Sequence, residues 1–161
     1  MTIRPATVLD VDSLVLLNDE VQSLHAAAIP SLFRARPPAA EVVGAFRAAI
    51  EDPAAVWLLA EDGRPCGFLH AQFQERRENW CRPALRVCYI HQIGVHSQWR
   101  RKGIARQLVA AIVEEAEKRG FVRIELDVWS FNQNAREAFR RLGFQVFNER
   151  MELKKPNPEQ R

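Results

Sequence analysis

Residues 98–109 are Gln-Trp-Arg-Arg-Lys-Gly-Ile-Ala-Arg-Gln-Leu-Val, and this stretch is the most informative part of the sequence about the fold. It connects an apolar segment that ends at Val95 to a segment whose apolar residues recur at helical spacing. A strand, a glycine turn and a helix in this order direct the unpaired N–H groups of the helix toward whatever lies over the turn. Arg100, Arg101 and Lys102 add positive charge where the helix dipole is already positive. The pattern predicts a phosphate or pyrophosphate site, and a solvated basic turn remains open as the alternative.

Two common phosphate-binding motifs, the Walker A loop and the dinucleotide G-x-G-x-x-G fingerprint, are absent from the sequence. In their place stands Arg100-x-x-Gly103-x-Ala105, which resembles the R/Q-x-x-G-x-G/A acyl-CoA pyrophosphate loop of the GNAT N-acetyltransferase superfamily. The likeness continues in Asn132-x-x-Ala135-x-x-x-Phe139-x-x-x-Gly143-Phe144, which resembles the N-x-x-A-x-x-x-Y-x-x-x-G-F signature of that superfamily. The segment 3–7 looks like its usual first strand. The resemblance is specific over residues 90–144 and loose before about residue 55.

Composition sets the class of protein. The chain has 161 residues, 47% hydrophobic and 27% charged, which indicates one soluble domain over 1–153 and a flexible tail at 154–161. No apolar run reaches the length of a membrane span, and the first residues lack the core of a signal peptide. Three cysteines without a C-x-x-C pair argue against a disulfide framework or a zinc site. We therefore expect a cytoplasmic protein without metal and without a membrane partner.

Hydrophobic periodicity and turn residues predict an alternation of helices and strands. The predicted strands are 3–7, 55–61, 66–74, 85–95, 122–129 and 144–153. The predicted helices are 9–28, 39–50, 104–119 and 133–142. This order predicts an α/β fold with a mixed, mostly antiparallel sheet and helices on both faces. The resemblance adds a splayed central parallel pair between strands 85–95 and 122–129.

The resemblance implies an acetyl-CoA-dependent N-acetyltransferase that acetylates a primary amine of a small molecule or peptide by direct transfer in a ternary complex. It implies that Ile93, Gly94 and Val95 hold the pantetheine arm through main-chain atoms, with an N–H near Ile93 as oxyanion donor. It also implies that Asn132 contacts the arm, a role that can coexist with capping the helix that follows; a helix cap alone remains the alternative. The residues that it assigns to the pyrophosphate are Arg100, Arg101, Lys102, Gly103, Ile104 and Ala105.

His91 is the predicted general base, because it stands where many relatives carry a glutamate and because histidine titrates near neutral pH. A satisfied polar residue on a half-buried strand remains the alternative. Strict alternation predicts that Tyr89, His91, Ile93 and Val95 share one face of the strand, with Cys88, Ile90 and Gln92 on the other.

Phe139 departs from the family pattern, since relatives commonly have a tyrosine there, proposed as the acid for the departing thiolate. Tyr89, the single tyrosine of the chain, is a candidate substitute, with a core or substrate-lining aromatic as the alternative. The resemblance places His25, Phe33 and Phe139 at the acceptor. We also keep open a catalytically weak module that senses acyl-CoA, and a homodimer. Nucleic acid is not expected, because the basic turn lacks an array of stacking aromatics and the net charge is only +3.

Overall fold

The computed structural model describes residues 1–153, so the expected tail at 154–161 lies outside the described residues. The chain divides into two compact units, one over residues 1–127 and one that begins at Val128. A single domain over 1–153 stays a prediction.

The first unit is built on a five-stranded sheet with the strand order β1-β2-β3-β4-β5. The strands are β1 (Thr2–Pro5), β2 (Ala55–Glu61), β3 (Pro65–Arg76), β4 (Leu85–Val95) and β5 (Arg123–Leu126). The first four strands pair antiparallel in succession, whereas β4 and β5 are parallel. The predicted mixed, mostly antiparallel sheet is confirmed.

Helices α1 (Val11–Ala28) and α2 (Ala39–Glu51) cover one face of this sheet. Their apolar side chains form a buried cluster with three residues of β2 and β3. The cluster comprises Val11, Leu14, Leu17, Phe46, Trp57, Leu59 and Phe68.

Helix α3 (Ile104–Lys118) covers the opposite face. Gly67 points to that face, because it is opposite Ala60 and next to Phe68 on β3. A Cβ on Gly67 would lie 3.0 Å from Cγ2 of Ile104, so the helix packs directly on the strand. Helices on both faces are thereby confirmed for the first unit.

The second unit contains helix α4 (Gln133–Arg141). The predicted strand 144–153 is wrong, because residues 144–153 have no strand conformation. Their sequence alternates in polarity, but a strand exists only through hydrogen bonds to a neighbour, and this segment enters none of the ladders of the sheet. Across residues 1–153, no helix combines the length and the apolar character that a bilayer crossing requires.

Candidate functional site

The turn before α3 has the backbone geometry of an anion site. Arg101 and Gly103 both have left-handed backbone angles, with φ of 63° and 80°. Gly103 is the N-cap residue of α3, and no side chain caps the helix there. The first N–H groups of α3 therefore lack an intrahelical partner and a side-chain cap, which suits an anionic group. A Cβ on Gly103 would meet nothing within 4 Å, so glycine serves here for its φ angle and not for a close approach.

Arg100, predicted to bind the cofactor, is already engaged with α1. Its Nη2 donates to Oε2 of Glu20 at 2.6 Å, and its Nε donates to the carbonyl of Val95 at 3.1 Å. Glu20 also accepts from the N–H of Ser97 at 3.0 Å and from its hydroxyl at 3.0 Å. Through these hydrogen bonds, Glu20 of α1 holds the segment 97–100 in place. Burial raises the pKa of Glu20, but the hydrogen bonds from Ser97 and the charge of Arg100 outweigh it and hold that pKa below its ordinary value.

Sequence reasoning missed Glu20, because its partner lies 80 residues away and no local pattern marks it. Arg101 and Lys102 follow Arg100 as exposed residues of the turn. Lys102 Nζ lies 5.6 Å from the ring centroid of Trp99. These two cations remain the candidates for direct contact with a phosphate.

A β-bulge interrupts β4 at His91. His70 of β3 is opposite Gln92, whereas the next residue, Ala71, is opposite Ile90. His91 is therefore an extra residue on β4, which bends the strand and redirects its side chains.

The bulge corrects the predicted alternation. Tyr89 and His91 do share a face, since their rings lie 4.8 Å apart. Ile93 is opposite Leu69 and Val95 is opposite Gly67, which puts both on the α3 face and not on the face of His91. Gln92, predicted on the far face, lines the same cleft as His91.

Cys88 does lie on the opposite face from Tyr89, as predicted. It is opposite Phe73 and fully buried, and burial raises the pKa of its thiol to about 11. It therefore carries no thiolate at neutral pH.

Beyond Ile90, one edge of β4 loses its strand partner. The parallel ladder with β5 runs from Val87 to Ile90 and ends there within residues 1–153. On the other edge, the N–H of His96 donates to the carbonyl of Cys66 at 3.0 Å. Because alternate residues of an antiparallel strand direct their main-chain groups to opposite edges, those of Ile93 and Val95 point to the open edge. This is the splay that the resemblance predicts.

Gly94 lies between these two residues, and its lack of a side chain has a steric reason. A Cβ at this position would lie 2.4 Å from Cε1 of Phe68, whose ring is fully buried. Glycine therefore keeps β4 close to β3 at the open edge.

Four rings lie side by side across β2, β3 and β4, and we call them the ring row: Trp57, His70, His91 and Tyr89. The ring centroids of Trp57 and His70 are 4.1 Å apart and those of His70 and His91 are 4.8 Å apart, both stacked. Burial, together with the charge of His91, lowers the pKa of His70 to about 4. Burial also lowers the pKa of His91, so both imidazoles are neutral at pH 7. His70 was not predicted, because its stacking on Trp57 depends on how β2 pairs with β3.

An open cleft of about 350 Å³ lies over the ring row. Its lining residues are Ala45, Phe46, Ala49, Trp57, His70, His91 and Gln92. His25 and Phe33, predicted at the acceptor, are not among them. Their rings contact each other at 5.0 Å, and Nδ1 of His25 lies 2.7 Å from the carbonyl oxygen of Val21.

The hydroxyl of Tyr89 donates to Oδ2 of Asp127 at 2.7 Å. Burial and this carboxylate raise the pKa of Tyr89 to about 12. A thiol has a pKa near 8.5, so proton transfer from this phenol to a thiolate is unfavourable by about 3.5 pKa units. The raised pKa makes Tyr89 a weaker acid, and its role toward the departing thiolate stays a prediction.

In the second unit, Asn132 caps α4, since its Oδ1 accepts from the N–H of Ala135 at 3.1 Å. The capping role is therefore confirmed. The ring of Phe139 contacts that of Phe144, with centroids 5.8 Å apart. The roles of Asn132 toward the cofactor and of Phe139 toward the acceptor stay predictions.

Parts of the chain are similar to curated N-acetyltransferases. The uncharacterized N-acetyltransferase MJ1207 of Methanocaldococcus jannaschii is 33% identical over 104 residues, which cover 55% of this chain and 42% of that protein. The L-ornithine N5-acetyltransferase NATA1 of Arabidopsis thaliana is 38% identical over 61 residues, which cover 38% of this chain and 27% of that protein. The chain thus spans less than half the length of both curated relatives.

Solved structures match over nearly the whole chain. A mutant of the BH1408 protein of Bacillus halodurans superposes with a TM-score of 0.91, at 25% identity over 96% of this chain and 100% of that one. The aminoglycoside N-acetyltransferase AAC(6')-Iy in complex with CoA gives a TM-score of 0.76 at 19% identity, over 97% of this chain and 95% of that one, a likeness of fold alone. Residues 20–144 match the sequence model of the acetyltransferase (GNAT) family. The chain belongs to the acetyltransferase (GNAT) family.

Proposed function

We propose that this protein transfers the acetyl group of acetyl-CoA directly to a primary amine in a ternary complex. The observation that carries the proposal is the position of His91. A neutral imidazole stands on a bulge of β4, next to the point where pairing with β5 ends and main-chain groups face an open edge. A proton acceptor and free main-chain donors are thereby brought together on one strand, which is what acyl transfer to an amine needs.

Acetyl-CoA would supply the activated thioester, and the residues present fit its anionic and amide parts. The left-handed angles at Arg101 and Gly103 and the uncapped start of α3 suit a pyrophosphate. The main-chain groups of Ile93 and Val95 at the open edge suit the amides of a pantetheine arm, with Gly94 keeping the strand close to β3. Ile104 and Ala105 contribute the first N–H groups of α3. Asn132 is the remaining proposed contact to the arm, alongside its capping role.

His91 would accept the proton of the attacking amine, through water where the distance requires it. A primary amine of the lysine type has a pKa near 10.4, so it is protonated at pH 7 and must lose a proton before it can attack. Because burial lowers the pKa of His91, its imidazole is neutral at pH 7, and its ring nitrogen can accept the proton that the attacking nitrogen loses as its bond to the acetyl carbon forms. The thiolate that leaves needs no strong acid, since a thiol pKa near 8.5 makes it a tolerable leaving group.

The acceptor is proposed to be an amine of a small molecule or peptide, and His25, Phe33 and Phe139 stay proposed contacts to it. A cytoplasmic location is proposed as well, consistent with the unpaired thiols of Cys66, Cys81 and Cys88.

A second candidate function is that of a module that binds acyl-CoA with little turnover. Two observations favour it: Phe139 replaces the tyrosine of the family pattern, and the pKa of Tyr89 is about 12. This candidate shares the cofactor site and lacks only the chemical step.

One experiment separates the two candidates. Thiol release from acetyl-CoA is measured with a panel of primary amines, with and without amine, at saturating acetyl-CoA. We expect amine-dependent release, and a loss of about 10²-fold in kcat/KM for His91→Ala near neutral pH. Val122→Ala is the control, since Val122 is exposed just before β5, at the end of the β4–β5 ladder away from Ile90, and it should keep the transfer rate. Binding of acetyl-CoA without release for any amine would support the sensing module instead.

A further inference from the structure

The cleft over the ring row has no charged side chain among the described residues that line it at pH 7. Three of its residues are alanine or phenylalanine from α2, namely Ala45, Ala49 and Phe46, and Gln92 is uncharged. A second cleft, beside Arg100, includes the carboxylates of Asp19 and Glu20 in its lining. Acidic side chains therefore lie in the cleft by the cofactor turn and not in the one beside His91.

Two carboxylates near the ring row already accept hydrogen bonds. Asp52 accepts from Nε2 of Gln72 at 2.9 Å and from the N–H of Ala54 at 2.9 Å. Asp127 accepts from the hydroxyl of Tyr89 at 2.7 Å. Neither carboxylate lines the cleft.

The lack of a carboxylate in the lining of this cleft discriminates between kinds of amine. A polyamine or an aminoglycoside carries several ammonium groups, and each group that enters a cleft without a carboxylate loses hydration with no compensating partner. A monoamine carries a single ammonium group, so only one charge has to lose hydration when it enters the cleft. Its apolar or aromatic body can then contact Phe46 and the exposed parts of the stacked rings.

We propose that the acceptor is a primary monoamine carried on an aromatic or apolar body, bound in the cleft between α2 and the ring row. This inference rests on the proposed acetyltransfer, in which His91 marks the position of the reacting amine. The cleft, at about 350 Å³, lies in the size range of small-molecule sites.

The test compares 2-phenylethylamine and tryptamine with spermidine and kanamycin as acceptors. Two quantities are measured: kcat/KM for thiol release, and affinity by calorimetry in the presence of CoA. We expect both arylalkylamines to exceed both polycations by tenfold or more in kcat/KM and in affinity.

A matched pair of variants on α2 tests the role of charge. Ala45→Asp puts a carboxylate on the cleft wall, and Ala48→Asp puts one on an exposed position of the same helix that does not line the cleft. We expect Ala45→Asp to shift the preference toward spermidine by about tenfold, and Ala48→Asp to leave the preference unchanged.

The outcomes separate the two proposals. If the wild type acetylates spermidine or kanamycin as well as the arylalkylamines or better, the proposed substrate class is wrong and acetyltransfer still stands. The same conclusion follows if Ala45→Asp and Ala48→Asp shift the preference for spermidine equally. Absence of thiol release with every amine would overturn the proposed acetyltransfer. Calorimetry would then still decide whether the cleft selects monoamines.

Discussion

Gly94→Ala should be far more disruptive than its one added methyl group suggests. The new Cβ would lie 2.4 Å from Cε1 and 3.0 Å from Cδ1 of Phe68. Phe68 cannot move aside easily, because its ring is fully buried and stacks with Trp57 at 6.1 Å. Overpacking of a dense core costs about 1–3 kcal/mol, so we expect that loss in the free energy of unfolding.

Gly44 is the matched control on α2. A Cβ there would meet nothing within 4 Å, and the position lies inside a helix. Gly44→Ala should therefore stabilise the protein by about 0.5–1 kcal/mol. The free energy of unfolding of Gly94→Ala should therefore be about 1.5–4 kcal/mol lower than that of Gly44→Ala.

Urea unfolding followed by circular dichroism at pH 7 measures both variants. Phe68→Leu supplies the second test, since a smaller side chain makes room for the new methyl group. Combined with Gly94→Ala, it should cost less than the sum of the two single changes by about 1 kcal/mol. Gly94→Ala should also raise KM for acetyl-CoA, because it displaces the segment between Ile93 and Val95. Equal stability of Gly94→Ala and Gly44→Ala, or strict additivity with Phe68→Leu, would show that Gly94 and Phe68 are not in steric conflict.

Four further predictions concern single residues. Because the pKa of His91 is lowered, the loss of kcat caused by protonation of His91 should occur below pH 6.5, and His91→Ala should not show it. A fall of kcat that already begins above pH 7 as the pH is lowered would contradict this. Gly103→Glu puts a carboxylate at the start of α3 and should weaken acetyl-CoA binding at least tenfold by calorimetry, more than Arg101→Ala; equal losses would count against a main-chain phosphate site. Glu20→Ala releases Arg100 and should raise KM for acetyl-CoA with little change in kcat, so an unchanged KM would remove its positioning role. The pKa of His70 is about 4 in the folded protein and near 6.5 in the unfolded chain, so its contribution to stability should be complete above pH 6.5 and fall by about 2–3 kcal/mol toward pH 4. In urea unfolding, His70→Phe should lose this part of the pH dependence. An unchanged pH profile would show that His70 is not its source.

The strands and helices with strong local patterns could be predicted from the sequence. β4 has the predicted bounds 85–95, and α3 starts at the predicted residue, because an apolar run, a glycine with left-handed angles and a helical apolar stripe are all local signals. The segment 144–153 shows the limit of that reasoning. Its alternating polarity is compatible with a strand, but a strand also requires backbone hydrogen bonds to a neighbouring strand, which the local sequence does not specify.

The candidate site was less predictable for a physical reason. A single extra residue at His91 reverses which face the following side chains occupy, and no residue type in the sequence marks it. The hydrogen bond between Glu20 and Arg100 and the stacking of His70 on Trp57 join segments that are distant in sequence. Such contacts depend on how the strands and helices pack, which periodicity does not specify.

Direct acetyl transfer to an amine is best tested by quantifying both products of one reaction. Purified protein is incubated with acetyl-CoA and 2-phenylethylamine, and the N-acetylated amine and free CoA are measured together by mass spectrometry over time. We expect the two to form in equal amounts, with formation dependent on the amine and strongly reduced by His91→Ala. Release of CoA without N-acetylated amine, or equal product formation by His91→Ala across pH 6 to 9, would contradict direct transfer with His91 as the base.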